Sequence, residues 1–216
     1  MRYDRGLLGS LVASLLFCLA FSKRDAQNCK QCAGESWAGC NGTEKICVAQ
    51  QKCVSVASES IENVLEDKDE VKKITKKVAR NCASPDFCDA DLSMNFKYAV
   101  WKIRTTCLSD QVHITVAEEA PANGRKCIGC IAAPSQCTKT VECRGKEDMC
   151  ISAREQVAGN IMVIKGCATQ SACKLGVNIS ELLGPVLVGS VSCCEGNLCN
   201  AAWIGRQRPF ALQKGA

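Results

Sequence analysis

The chain of 216 residues contains a single histidine, and only 5% of its residues are aromatic. One histidine leaves little room for hydrolytic chemistry. A secreted phospholipase would place a His–Asp pair beside paired cysteines, whereas the stretch CCEGNLC (193–199) holds none, and no G-x-S-x-G occurs anywhere. His113 therefore reads as an ordinary, partly exposed residue, and no catalytic residue is assigned. Sparse aromatics and a mild net charge of +5 also argue against a nucleic-acid surface, which interleaves dense basic charge with rings. After Asn200 the sequence AAWIGRQRPFALQKGA has no long apolar run, so no lipid-anchor signal and no membrane anchor are expected.

What the chain has in excess is cysteine, 19 in all, a density typical of disulfide scaffolds. The N-terminus points to the compartment. Arg2 and Arg5 precede the short apolar run Leu7–Phe21, and Ala20-Phe21-Ser22 offers small residues where a signal peptidase reads. Residues 1–22 are expected to be a removable secretory signal rather than a membrane span, because the apolar run is short for a bilayer. Their loss removes Cys18 and leaves an even 18 cysteines (19 − 1), as a closed framework in an oxidising, extracellular setting requires. The sequons at Asn41 and Asn178 fit glycosylation on a secreted surface.

The cysteines repeat. Aligning Cys29-x-x-Cys32 with Cys127-x-x-Cys130 gives two copies 98 residues apart. Successive cysteine gaps are 3, 8, 7, 6, 29, 6, 19 in the first and 3, 7, 6, 7, 17, 6, 20, 1, 5 in the second. NCASPDFC (81–88) parallels GCATQSAC (166–173). The expected division is a first module over 27–117, a linker over 118–125, a second module over 126–201 and a tail over 202–216. Pro121 and Asn123-Gly124 are read as breaking regular structure in the linker.

Strand signals dominate each copy. Phe96, Tyr98 and Val100 alternate with polar or small neighbours, and so do Val112, Ile114 and Val116. Further strands are expected at 160–167, after a turn at 157–160, and at 185–193, although the last apolar run could also be a docking patch. Over 59–80, Val71, Ile74 and Val78 sit at helical spacing, so a short helix competes with a hairpin of extended tip; the hairpin is preferred. Each module has only a thin core of its own, so crosslinks worth about 2–4 kcal/mol each should carry much of the stability. Trp101 and Trp203 could anchor an interface or fill those cores.

These spacings resemble the three-finger domain of the lymphocyte-antigen/urokinase-receptor family, which opens with C-x-x-C and closes with C-C-x4-C-N. Cys193, Cys194, Cys199 and Asn200 match that close. The resemblance implies an all-β fold of two disulfide-rich, snake-toxin-like domains in tandem. It implies the pairings Cys127–Cys150, Cys130–Cys137, Cys143–Cys167, Cys173–Cys193 and Cys194–Cys199, and a structural role for Asn200 at the terminal loop. In the first copy it implies Cys29–Cys53, Cys32–Cys40, Cys47–Cys82 and Cys88–Cys107. The last pair is absent there, with Leu108 and His113 in its place, so that end is expected to be looser or to be held by the strand 112–116 instead.

Within the family, KGCATQSAC and CCEGNLCN look most like gamma-type phospholipase A2 inhibitors and sodefrin-precursor-like secreted factors. The resemblance thus implies a non-catalytic, secreted binder of an extracellular protein, foremost a secreted phospholipase A2. Pheromone-like signalling and urokinase-receptor-like binding of proteases or matrix proteins are the alternatives. Homo-oligomerisation is implied by the same relatives. Metal binding by the C-x-x-C pairs is disfavoured by the secretory signal, and no cofactor is expected. Lys72, Lys73, Lys76, Lys77 and Arg80 form the densest positive cluster, read either as a solvated face offset by Glu66, Asp67, Asp69 and Glu70 or as a contact surface for an acidic partner or sulfated glycan.

Overall fold

The computed structural model describes residues 27–66, 69–114, 120–157, 160–175, 178 and 191–201. The expected signal segment and tail, Trp203 and most of the 185–193 run lie outside them. Among the described residues the fold is all-β apart from one short α-helix and three single-turn 3-10 helices. In the first copy, β1 (Asn28–Gly34) and β2 (Thr43–Ile46) form one hairpin. A long hairpin follows, β3 (Lys52–Glu66) with β4 (Asp69–Ala83), and then β5 (Asp91–Asn95) with β6 (Ala99–Thr106). The second copy contributes β7 (Ala122–Ile128), β8 (Cys130–Ala132) and β9 (Thr140–Arg144), then the hairpin β10 (Met149–Val157) with β11 (Asn160–Ala168). A short helix α1 (Gln170–Leu175) and strand β12 (Val191–Cys194) complete it.

The long hairpin resolves the ambiguity at 59–80. β3 and β4 pair antiparallel from Lys52↔Ala83 to Glu66↔Asp69, which excludes a helix. The helical spacing of Val71, Ile74 and Val78 misleads because these residues fall on both faces of a strand. The expected strand across 95–100 is overturned. The chain reverses there: β5 ends at Asn95, Lys97 takes φ 77°, and β6 begins at Ala99. Phe96 is buried while Tyr98 is half exposed, so the two do not share a face. The expected strand 112–116 is likewise absent over its described part, residues 112–114. At the other end of the linker, 122–125 open β7, where Gly124 (φ 86°) and a register shift between Ala122 and Lys126 absorb the irregularity.

Nine disulfides close the described cysteines. They are Cys29–Cys53, Cys32–Cys40, Cys47–Cys82 and Cys88–Cys107 in the first copy. The second copy has Cys127–Cys150, Cys130–Cys137, Cys143–Cys167, Cys173–Cys193 and Cys194–Cys199. Equivalent sulfurs crowd together in both: Cys29, Cys47 and Cys82 in one, Cys127, Cys143 and Cys167 in the other, each set within 4.8 Å. These sulfurs are all in S–S bonds and so offer no thiolate to a metal.

The two copies do not stand apart. β5 pairs antiparallel with β11 through Asn95↔Cys167 and Met94↔Ala168, so one sheet runs β12-β10-β11-β5-β6-β3-β4-β1-β2. Gly166 makes this approach feasible: a Cβ there would lie 2.1 Å from the Asn95 carbonyl oxygen. Across the junction Thr169 N–H donates to the Ser93 carbonyl (3.0 Å), and Ser93 N–H donates to Thr169 Oγ1 (3.2 Å). The apolar core follows the sheet. Val54, Val56, Leu92, Met94, Phe96 and Ile103 pack in one cluster with Ile151, Ala153, Ile164, Ala168 and Leu175. The expectation of two separate thin cores is thus corrected to a shared one. Trp101 fills it, its ring edge-on to Phe96 at 4.9 Å between centroids.

Phe96 and Glu147 test the junction. Phe96→Ala should cost about 3–5 kcal/mol, the usual penalty for emptying a fully buried aromatic site, read as a lowered urea midpoint. Glu147 is buried against the first copy, accepting from Ser93 Oγ (2.6 Å) and Arg144 N–H (3.0 Å). Burial raises its pKa, outweighing the Ser93 and Arg144 hydrogen bonds and the charges of Arg144 and Lys102. A raised carboxyl keeps its proton longer in the folded state, so its contribution is present below the ordinary carboxylate value and is lost as pH rises through the folded value. Relative to Glu147→Gln, the wild type should therefore lose melting temperature as pH rises above the ordinary carboxylate range.

Candidate functional site

The candidate surface lies on the β3–β4 hairpin, fixed by the ends of the two copies. Each strand spans 15 residues, and the shared registers sort side chains by face. On the core-facing side, Val56 of β3 lies opposite Thr105 of β6, and Val54 and Ile103 share that face. The opposite face shows cross-strand rows. The row Ile74–Ile61–Val100 is apolar, and the next, Lys76–Glu59–Lys102, is charged. Glu59 is buried and pairs with Lys76 at 3.4 Å, so that lysine is partly committed to the fold.

The lysine cluster is thereby split. Lys72 and Lys76 lie on the outer face, Lys73 and Lys77 on the other, and all four are exposed. Lys72, Lys73 and Lys77 make no ion pair among the described residues. Of the acids set against them in the sequence, Asp67 and the side chains of Glu66, Asp69 and Glu70 lie outside the described part. Arg80 does not belong to this group. Its side chain is largely buried, and Nε donates to Ser55 Oγ (3.3 Å) while its guanidinium grips the carbonyl and carboxylate of Asp110. It also lies over the Trp37 ring, 5.8 Å from the centroid.

That grip explains how the first copy closes without a fifth disulfide. Residues 109–114 form an irregular strap. Trp37 Nε1 donates to the Val112 carbonyl (2.8 Å), and Ser55 Oγ donates to the Ser109 carbonyl (2.9 Å). Val112 itself is buried with Cys40, Ala57 and Val78, with Ile114 packed alongside. The expected strand is replaced by side-chain hydrogen bonds and a small apolar plug. Sequence reading missed Trp37 and Arg80 in this role, although Trp37 in a short loop beside Cys40 was a usable signal.

The second copy ends covalently. Cys194–Cys199 pins the terminal loop, and buried Asn200 stitches it inward. Asn200 Oδ1 accepts from Ile128 N–H (2.9 Å), while its Nδ2 donates to the carbonyls of Ile128 (3.0 Å) and Ile151 (3.1 Å). Lys165 Nζ donates to the Asn200 carbonyl (2.7 Å); its burial, with Arg154 nearby, lowers its pKa. The two sequon residues, Asn41 and Asn178, are exposed.

Chemistry is sparse by comparison. His113 is exposed at an open groove with Asp89, Asp91 and Arg104. Asp91 is taken by Arg104 Nε (2.5 Å), and the contact made by His113 is its carbonyl accepting from Arg104 (3.4 Å). Among the described residues no nucleophile stands in hydrogen-bond reach of its ring.

Hairpins radiating from a crowded set of crosslinks define a tandem three-finger protein. A family model for snake toxins and toxin-like proteins matches residues 126–200. Phospholipase A2 inhibitor NAI of Notechis ater is 29% identical over 180 residues, covering 75% of this chain and 86% of the relative. A gamma-type phospholipase A2 inhibitor of Gloydius brevicaudus siniticus is 31% identical over 151 residues, 63% of this chain and 71% of the relative. The urokinase plasminogen activator surface receptor of Rattus norvegicus is 30% identical over 99 residues, 43% of this chain and 30% of the receptor. The chain belongs to this three-finger family, alongside the gamma-type phospholipase A2 inhibitors.

Replacing Arg80 tests the strap. Arg80→Met should free residues 109–114, seen as faster amide exchange there and a shift in tryptophan emission, and should lower global stability by about 1–3 kcal/mol.

Proposed function

We propose that this protein is a secreted, non-catalytic binder that inhibits a secreted phospholipase A2 by forming a direct complex with it. The observation that carries the reading is similarity to named phospholipase A2 inhibitors over most of the chain, 75% of it in one case. The architecture suits the role. Hairpins held by nine crosslinks lose little conformational freedom on docking, so more of the contact energy appears as affinity. The enzyme would be blocked by coverage of its active-site or membrane-facing surface.

Four parts of the reading accompany it. Residues 1–22 are the secretory signal, 27–117 and 126–201 are the two domains, Asn41 and Asn178 carry sugar, and the protein assembles with copies of itself. A second reading, a receptor-like binder of proteases or matrix proteins, is favoured by the similarity to the urokinase receptor, which spans a shorter part of this chain. No helix of the described residues is long and apolar enough to cross a membrane.

Titrating the purified protein into secreted phospholipases acting on phospholipid vesicles should abolish hydrolysis near equimolar ratio. Protein and enzyme should co-elute from a sizing column. No inhibition at micromolar protein across a panel of such enzymes would reject the target, and capture of a protease instead would favour the second reading.

A further inference from the structure

The outer edge of β4 is open where its lysines lie. β1 pairs with β4 only from Gly34↔Val78 to Cys32↔Arg80. Beyond that point no described strand covers residues 71–77 on the side away from β3. An uncovered edge presents a row of backbone donors and acceptors, a template for another strand. Its outward groups can be placed. Asn63 N–H donates to the Tyr98 carbonyl on the β6 side (2.8 Å), so the register partner of Asn63, Lys72, directs its own N–H and carbonyl away from β3. By alternation Ile74 and Lys76 do the same, as do Val78 and Arg80 where β1 is seated.

We propose that residues 72–77 of β4 are a docking edge for an extended acidic segment of a partner protein, added as a strand in line with β1. Two observations choose this occupant. The sequence KKITKK places Lys72 and Lys76 on one face of the sheet and Lys73 and Lys77 on the other, all exposed. A flat anionic surface, such as a membrane, meets only one face. An added strand sends alternate side chains to both, so acids at successive positions meet lysines on each side. A second copy docking edge to edge would instead set KKITKK against KKITKK, which like charge opposes. The pattern reads the same in either direction, so an acidic strand is matched whether it runs parallel or antiparallel. The inference concerns how a partner is held and stands whether or not that partner is a phospholipase.

The test uses the full secreted protein and two capped peptides of equal charge, EEVTEE and EEPPEE, with heparin and anionic phosphatidylserine vesicles as competing probes. EEVTEE should bind and slow amide exchange at Lys72, Ile74 and Lys76. EEPPEE, whose prolines cannot donate to a ladder, should bind at least about tenfold more weakly. The variant K72E/K73E/K77E, which leaves the Lys76–Glu59 pair intact, should weaken EEVTEE by about tenfold or more while melting like the wild type. Should that variant fail to fold, the single changes K72E and K77E, on opposite faces, should each weaken binding several-fold. Equal binding of both peptides, or binding of heparin or vesicles without EEVTEE, would overturn strand addition in favour of a simple charged patch. Self-association abolished by the same substitutions would assign the edge to a second copy. No binding to any probe would mean that the lysines serve only to keep the edge from pairing.

Discussion

Everything in this molecule hangs on disulfides stacked against one another at the root of the fingers. In each copy three sulfurs from two different bonds meet within 4.8 Å, at equivalent positions of the repeat. Chain-entropy arguments assign each bond about 2–4 kcal/mol, and several bonds sharing one locus restrict the unfolded chain strongly. The fingers can then be long and largely exposed, as residues 71–74 and 76–77 of β4 are, without a large hydrophobic core beneath them. The largest apolar cluster lies at the junction of the copies, with smaller ones inside each copy.

That junction changes how the repeat should be understood. Tandem modules suggest beads on a string, each self-sufficient. Here the pairing of β5 with β11 and a common cluster around Met94, Phe96 and Ile164 join the copies through one large sheet and a shared main core. A thin module can be stable when its neighbour completes its interior. The relative placement of the fingers is consequently fixed, and a partner would meet a preformed surface. Protein capture, the role proposed from the relatives, gains from that rigidity.

The fold was legible in the cysteines because covalent spacing survives in the sequence while packing does not. The gaps around Cys29 and Cys127 carried the repeat and, through family resemblance, the pairing. Other features left no such trace. Lys97 turns the chain at φ 77°, held by Asn95, whose Oδ1 accepts from Lys97 N–H (3.0 Å), but the alternation of Phe96, Tyr98 and Val100 outweighed that one turn residue and made them look like one strand face. Arg80 was grouped with four lysines by proximity in sequence, yet Trp37, Ser55 and Asp110 around it give it a different task. Gly166 was invisible as a contact point because the backbone it admits, that of Asn95, lies 71 positions earlier in the chain.

The two copies finish differently: Cys194–Cys199 closes one, and the Arg80–Trp37–Val112 strap closes the other. A thiol reductant attacks the first kind of closure directly, whereas the hydrogen bonds of the strap contain no sulfur to reduce. Salt and mild chaotropes do the reverse, since they screen a guanidinium and solvate a buried carbonyl but do not cleave sulfur from sulfur. The protein thus has two ends vulnerable to unrelated insults, and whichever loosens first reports which kind of environment it has entered.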